Sequence, residues 1–171
     1  MKRFIFLALF ISFFANTNAQ TWKAFRDTAG HFTASYPDTW ENKIKEGNRV
    51  FFTSPAESDD DKFRQNINIS ANPSPDLANY KIRELIPEVE SSIKTAYDNY
   101  QKISSRYFTW NGTEAYEYVY SFTQASVDYA IRIKQWMCIK NGVLYMITYT
   151  AAVGTDNMAA TAGKIMNSIK F

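Results

Sequence analysis

Cysteine is nearly missing from this 171-residue sequence, in which Cys138 stands alone. A single thiol excludes an intramolecular disulfide framework and every zinc site built on paired cysteines. Histidine is as scarce, with His31 the only one, so no relay of several imidazoles can be assembled. The six glycines are dispersed, which leaves no glycine-rich loop to cradle a phosphate, and no serine nucleophile elbow is present. An excess of one charge sign is also lacking. The chain has 19 Lys+Arg against 17 Asp+Glu. Lys2 and Arg3 account for the whole difference, so residues 20–171 are formally neutral. That balance lacks the basic footprint of a nucleic-acid binder, and no nucleic acid is expected among the partners. After residue 15 no stretch is apolar for long enough to cross a bilayer.

What the N-terminus does carry is a three-part pattern. Lys2 and Arg3 give a positive start, Phe4 to Ala15 is apolar except for Ser12, and small residues at Thr17 and Ala19 precede Gln20. This is the layout of a cleavable secretory signal over residues 1–19. The apolar run falls short of the ~20 residues that a spanning helix needs. The reading is therefore export to the periplasm or the extracellular space, with no stable membrane span after cleavage. No cysteine follows the cleavage point to carry a lipid. Residues 20–171 then make one domain, and a domain near ~150 residues buries roughly 68–70% of its unfolded surface, enough for a core without covalent staples.

Period-two alternation dominates the rest. Strands are expected over 22–25, 32–36, 49–54 and 65–72, each ending at turn residues or proline. Ile82, Ile86, Val89, Ile93 and Tyr97 recur at helical spacing, predicting one helical region, capped by Asp76 and bent at Pro87. Strands over 102–110 and 114–122 flank Asn111-Gly112, and strands over 128–140 and 143–151 flank Asn141-Gly142; Asn-Gly is the strongest two-residue hairpin signal. Gly154-Thr155-Asp156 should cap a last helix striped by Met158, Ala162, Ile165, Met166 and Ile169. Strands joined by two-residue turns must be antiparallel, so the class is α+β, with helices packed on an antiparallel sheet. The abundance of Tyr (11) and Phe (13) fits a broad sheet with large packing residues.

Several local motifs fall in a fixed order: Phe32 to Trp40 (a strand ending Tyr-Pro-x-x-Trp), Val50 to Pro55, Ile67-Asn68-Ile69, Asp76 to Tyr80, Asn111 to Tyr116, Tyr145 to Ala151, and Ile165 to Phe171. In this order the chain resembles the PsbP-like domains and the related DcrB-like exported bacterial proteins, over essentially all of residues 20–171. The resemblance implies an α-β-α sandwich with a central antiparallel sheet. Its relatives include photosystem assembly or stabilising subunits, a Ran-GTPase-binding family and exported bacterial proteins of unknown role, so the resemblance implies the fold and, only together with the export signal and the missing catalytic groups, motivates an accessory or binding role.

His31 follows Gly30 and reads as a turn residue. Cys138, between Met137 and Ile139 in a strand, reads as a buried small hydrophobe. Glu57 and Asp59-Asp60-Asp61 lack the alternating spacing and glycine of a calcium loop, so a solvated acidic loop is expected, with no metal and no cofactor. Glu114 and Glu117 lie three apart on a strand, hence on opposite faces, and cannot form a catalytic pair. Arg132, Lys134, Trp136 and Lys140 share one strand face and make the expected partner surface, since Arg and aromatics are enriched at contacts. The sequence thus reads as an exported, non-catalytic module acting through an unidentified protein partner. The alternative is a carrier holding a small apolar ligand between the Tyr-rich strands and a helix.

Overall fold

The computed structural model of the chain describes residues 20–45, 47, 49–61 and 63–171. The expected signal over residues 1–19 lies outside the described residues. Nine strands and two α-helices follow in order: β1 (Trp22–Asp27), β2 (Phe32–Pro37), β3 (Glu41–Lys45), β4 (Arg49–Thr53), β5 (Asn66–Pro73), α1 (Ile82–Ala96), β6 (Asp98–Trp110), β7 (Thr113–Thr123), β8 (Ile131–Lys140), β9 (Val143–Ala152) and α2 (Ala159–Ser168). Strands β3 to β9 form one seven-stranded sheet in the order β3-β4-β5-β9-β8-β7-β6, and β1 and β2 form a separate hairpin. Every pairing is antiparallel.

The two Asn-Gly dipeptides do what their chemistry allows. Asn111 and Gly112 take φ of 49° and 75°, and Asn141 and Gly142 take 52° and 73°. Two successive left-handed residues make the tight turn that matches strand twist. They fix the β6–β7 and β8–β9 registers at Trp110↔Thr113 and Lys140↔Val143.

Cross-strand alternation then sorts side chains to two faces. On one face Val50, Phe52, Ile67, Ile69, Tyr145, Ile147 and Cys138 pack with the α2 residues Ala162, Ile165 and Met166 and with Phe32, Ala34 and Tyr36 of the hairpin. The Tyr-Pro-x-x-Trp motif belongs to this core. Trp40 N donates to Pro37 O at 3.0 Å, turning the chain so that the buried Trp40 joins the cluster. The end of α2 is stitched to β2 by Thr33 N donating to Lys170 O at 2.8 Å and Lys170 N donating to Thr33 O at 3.0 Å. On the opposite face Ile82 and Ile86 of α1 pack on Tyr116, Tyr118, Tyr120, Phe122, Ile131, Ile133 and Met137. The architecture is the expected α-β-α sandwich.

Three local expectations change. Asp76 does not cap α1. Pro75–Asn79 is a separate 3-10 turn, and α1 starts at Ile82, because Ser74 N donates to Gly142 O at 2.9 Å and docks the turn on the β8–β9 hairpin. The helical region itself is continuous through Pro87 as expected, with the stripe of Ile82, Ile86, Val89 and Ile93 in contact with the sheet on both sides of it. Asp156 does not cap α2 either. Met158 takes the cap position, while the Asp156 carboxylate accepts a hydrogen bond from the Tyr149 hydroxyl. Strand β3 was not expected at all; all five of its residues are exposed, so it carries no alternation of burial.

Ile165 has no solvent exposure and sits where α2 meets the sheet. Ile165→Ala is expected to lower unfolding free energy by about 2–5 kcal/mol, whereas Ile44→Ser on β3, 66% exposed, should change it by no more than about 0.5 kcal/mol. Urea denaturation of the two variants checks both values.

Candidate functional site

The two helices do not cover the sheet completely. Helix α1 packs over β6, β7 and β8. Helix α2 and the hairpin pack on the other face, over the core built from β4, β5, β8 and β9. Each face therefore keeps an open half. On the α2 side that half belongs to β6, β7 and the start of β8, and it contains two of the four expected partner residues, Arg132 and Lys134.

Its centre is Glu117. The hairpin turn at Asn111-Gly112 brings Arg106 opposite Glu117, and the β7–β8 register brings Trp136 opposite it from the other side. Arg106 Nε donates to Glu117 Oε1 at 2.8 Å, Trp136 Nε1 donates to Oε2 at 2.7 Å, and Lys134 Nζ lies 3.2 Å from Oε2. Glu117 is only 8% exposed. Burial works to raise its carboxyl, but the Arg106 guanidinium, the Trp136 indole N–H and the Lys134 ammonium together hold it below the usual carboxylate range. The carboxylate is thus saturated with donors, which suits an anchor and not a general base.

The four expected surface residues divide accordingly. All lie on the face foreseen. Trp136 is 4% exposed and packs edge-on against Phe108 and Trp110 at centroid distances of 5.1 and 5.3 Å. Lys140 Nζ donates to Phe171 O at 2.9 Å and so fastens the C-terminal segment. Arg132 is exposed and makes no ion pair among the described residues. Lys134 stays partly exposed, with its ammonium over the Trp136 ring. Arg106, 63% exposed at its side chain, joins them and was missed in the sequence, although counting back from the Asn111-Gly112 turn puts it opposite Glu117. The surface is therefore three cations, Arg106, Arg132 and Lys134, around one buried anion, with Val119 and Ser121 half-buried between them.

The other candidates take plain structural roles. His31 is exposed, with φ of 53°, in the β1–β2 turn. Cys138 is buried, and burial pushes its thiol up to about 12 against a small opposing pull from Lys140, so it is a thiol and not a thiolate at neutral pH. Asp61 accepts from the backbone N–H groups of Glu57 and Phe63, both at 3.0 Å. Glu57 accepts from Gln65 Nε2 at 3.0 Å and Asn157 Nδ2 at 2.6 Å. These two acids organise the loop from within, and no group of three His, Cys, Asp or Glu that could hold a metal occurs among the described residues. Glu114 pairs with Arg83 of α1 at 2.8 Å, on the face opposite Glu117.

The Tyr-rich face anchors α1. Tyr116 donates to Glu90, Lys102 Nζ donates to the two Glu90 oxygens at 2.8 and 2.9 Å, and the Tyr100 and Tyr118 hydroxyls share a hydrogen bond. Burial first, then hydrogen bonding to Glu90, raises the Tyr116 phenol, and burial does the same to Tyr118 and Tyr120. Beside this anchor a groove of about 360 Å³ runs between α1 and the sheet, where the small apolar ligand was expected. It is open, and its lining mixes Val89, Ile93, Tyr97, Tyr120 and Met146 with Glu88, Ser92 and Gln135.

No family model matches the chain. No curated protein sequence matches it either. Solved structures do match. Cyanobacterial PsbP (CyanoP) from Synechocystis superposes with a TM-score of 0.61 at 13% identity, over 91% of this chain and 95% of that one. The Saccharomyces cerevisiae Ran-binding protein Mog1p superposes with a TM-score of 0.58 at 8% identity, over 89% and 96%. LpqN of Mycobacterium tuberculosis, involved in cell envelope biogenesis, gives 0.55 at 11% identity, over 91% and 86%. The chain has the PsbP/Mog1-like fold, as its resemblance implied.

Glu117→Leu leaves the buried Trp136 N–H without its acceptor and should cost about 1–3 kcal/mol of stability, read by urea denaturation. Because the folded Glu117 carboxyl titrates below its reference value of 4.5, its contribution is complete above that pH and is lost as pH falls through the folded value. Glu117→Gln should accordingly flatten the acid limb of the stability–pH curve. Calorimetric titration with calcium is expected to give no saturable micromolar isotherm; one that disappears in Asp60→Ala would contradict the structural role assigned to the loop.

Proposed function

We propose that the protein is an exported, non-catalytic accessory module that works by protein–protein contact. Its partner docks on the open α2-side half of the sheet, at Arg132 and Lys134 with Arg106 beside them. Trp136 and Lys140 support that surface from beneath, one as the packed donor to Glu117 and the other as the clamp on the C-terminal segment. The observation that carries this reading is the charge arrangement. Three cations stand on a rigid sheet face around a single carboxylate that is already fully bonded, so the surface keeps a net excess of positive charge. An acidic segment of a partner would satisfy it, and charge complementarity of this kind sets register and encounter rate.

The solved neighbours support a contact role by analogy of fold alone. One of them is by name a Ran-binding protein. LpqN is involved in cell envelope biogenesis, and the secretory pattern over residues 1–19 is what supports export of this chain. A catalytic reading finds no support in the described residues: the one cysteine is a buried thiol, and the buried carboxylate of Glu117 is held by three donors. A carrier of a small apolar ligand is the weaker alternative, because the groove between α1 and the sheet is open and partly polar.

The test is cross-linking mass spectrometry on the exported fraction of the native host, with wild type and an Arg132→Glu/Lys134→Gln double variant. These changes remove two positive charges and add one negative charge, while leaving Arg106 and Trp136 on Glu117. A partner with an acidic contact segment should cross-link to wild type, and its affinity for the variant should fall about tenfold or more, equivalent to about 1.4 kcal/mol. The melting temperature should stay near that of wild type. Undiminished capture by the variant would refute this docking surface.

A further inference from the structure

The α1 side of the sheet has its own open half, and its chemistry is different. Cross-strand neighbours Phe51, Asn68, Thr148 and Gln135 form one row from β4 through β5 and β9 to β8. Thr53, Asn66 and Thr150 form the next. All seven are half-buried, and none is charged. The first row spans three strand spacings, about 14 Å. It runs directly into the groove beneath α1, because Gln135 belongs to both. There Val89, Ile93 and Met146 give an apolar lining, and Tyr120 and the 40% exposed Tyr97 give an aromatic wall. Tyr97 is held by stacking on Phe122 at a centroid distance of 3.9 Å. Of the residues lining the groove, only Glu88 is charged.

Within this groove Gln135 is left incomplete. Its Nε2 donates to Thr148 Oγ1 at 2.9 Å, while its Oε1 is buried without a hydrogen-bond partner. A buried acceptor without a donor costs about 1–3 kcal/mol, and native structures leave few of them. Oε1 is shielded from solvent, so a turn of the Gln135 amide toward the groove is what would let a ligand hydroxyl satisfy it.

We propose that this groove and the neutral rows leading into it are a binding site for an uncharged carbohydrate chain. A sugar ring has an apolar C–H face to lie on Tyr97 and Tyr120 and hydroxyls at its edge to meet Gln135, Thr148 and Asn68. This is the combination of an apolar wall with a few placed polar groups that small-ligand sites use. The volume, about 360 Å³, lies at the lower end of the roughly 300–1,000 Å³ typical of such sites, sufficient for one or two rings, with further rings lying along the neutral rows. No cation lines the groove itself, and the one over the rows, Lys45, is spent on the Phe51 ring at 4.5 Å from its centroid, so the acidic partner assigned to the opposite face finds little here to attract it. A wholly apolar ligand would leave the Gln135 oxygen as it is.

The experiment presents the purified protein to an array of neutral and acidic oligosaccharides. The side-chain amide of Gln135 is then followed by NMR while the best-retained neutral oligosaccharide is titrated. Retention of a neutral oligosaccharide and a saturable shift of the Gln135 amide are expected. Gln135→Leu, which replaces an unsatisfied amide by an apolar group of similar size, should weaken binding about tenfold without lowering the melting temperature. Asn68→Asp, which puts a charge on the floor, should weaken it as well. Retention of acidic sugars only, of no sugar, or binding of the apolar dye anilinonaphthalene sulfonate alone would overturn the proposal. So would sugar binding that survives both variants. Arg132→Glu/Lys134→Gln should bind the neutral sugar normally, so the two surfaces stand or fall separately.

Discussion

The pairing of β5 with β9 is the contact on which the rest of the structure depends. It joins a segment that precedes α1 to the last strand of the β6–β9 meander, through eight aligned residue pairs from Asn66↔Thr150 to Pro73↔Val143. All other neighbours in the large sheet are consecutive strands. Breaking this ladder would leave a β3–β5 piece and a β6–β9 piece with no shared backbone hydrogen bonds. The ladder forms because Ile67 and Ile69, both without solvent exposure, meet Tyr149 and Ile147 on the α2 side. A slip of one residue would turn Asn66 and Asn68 into the core and both isoleucines out.

That ladder also explains why each helix covers only half a face. The connection from β5 to β6 must cross from the middle of the sheet to its far edge, and α1 is that connection, so it lies over β6 to β8. Helix α2 follows β9 from the centre and lies over the other face, together with the β1–β2 hairpin. The halves left open carry residues suited to water. Arg106, Arg132 and Lys134 stand on one side, and Asn66, Asn68, Thr148 and Thr150 on the other.

Alternation and turn chemistry made much of this legible in the sequence. Asn111-Gly112 and Asn141-Gly142 determine two of the four hairpin registers of the molecule outright, and the isoleucine and tyrosine periodicities assign faces to β5, β7 and β8. Strand β3 was illegible because Glu41 to Lys45 bury nothing, so pairing with β4 alone defines it. The caps were misread because Asp76 and Asp156 are polar residues with tertiary competitors: a docked turn in one case, the Tyr149 hydroxyl in the other. The surface residues were half legible. Periodicity put Trp136 and Lys140 on the right face, but which of the four remain in contact with solvent depends on where Phe108, Trp110 and Phe171 come to rest. No local pattern encodes that. Arg106 was recoverable from the hairpin register, and the incomplete amide of Gln135 was not, since an unpaired atom is visible only once every neighbour is in place.

The two open halves differ in a way that separates their physics. A contact made through Arg106, Arg132 and Lys134 relies on field, which is screened over about 8–10 Å at physiological salt and weakens further as salt rises. A contact made through neutral amides, hydroxyls and tyrosine rings relies on short-range hydrogen bonding and dispersion, which salt leaves largely untouched. The sheet itself keeps the two apart. Glu117 is drawn to the α2 side by three donors, and Glu90 on the α1 side is consumed by Lys102 and Tyr116, so neither acid disturbs the open half nearest to it. Anchoring carboxylates inside the structure is what leaves one open half with a net positive charge and the groove on the other with Glu88 as its one charged lining residue, and it is the physical basis for assigning them different partners.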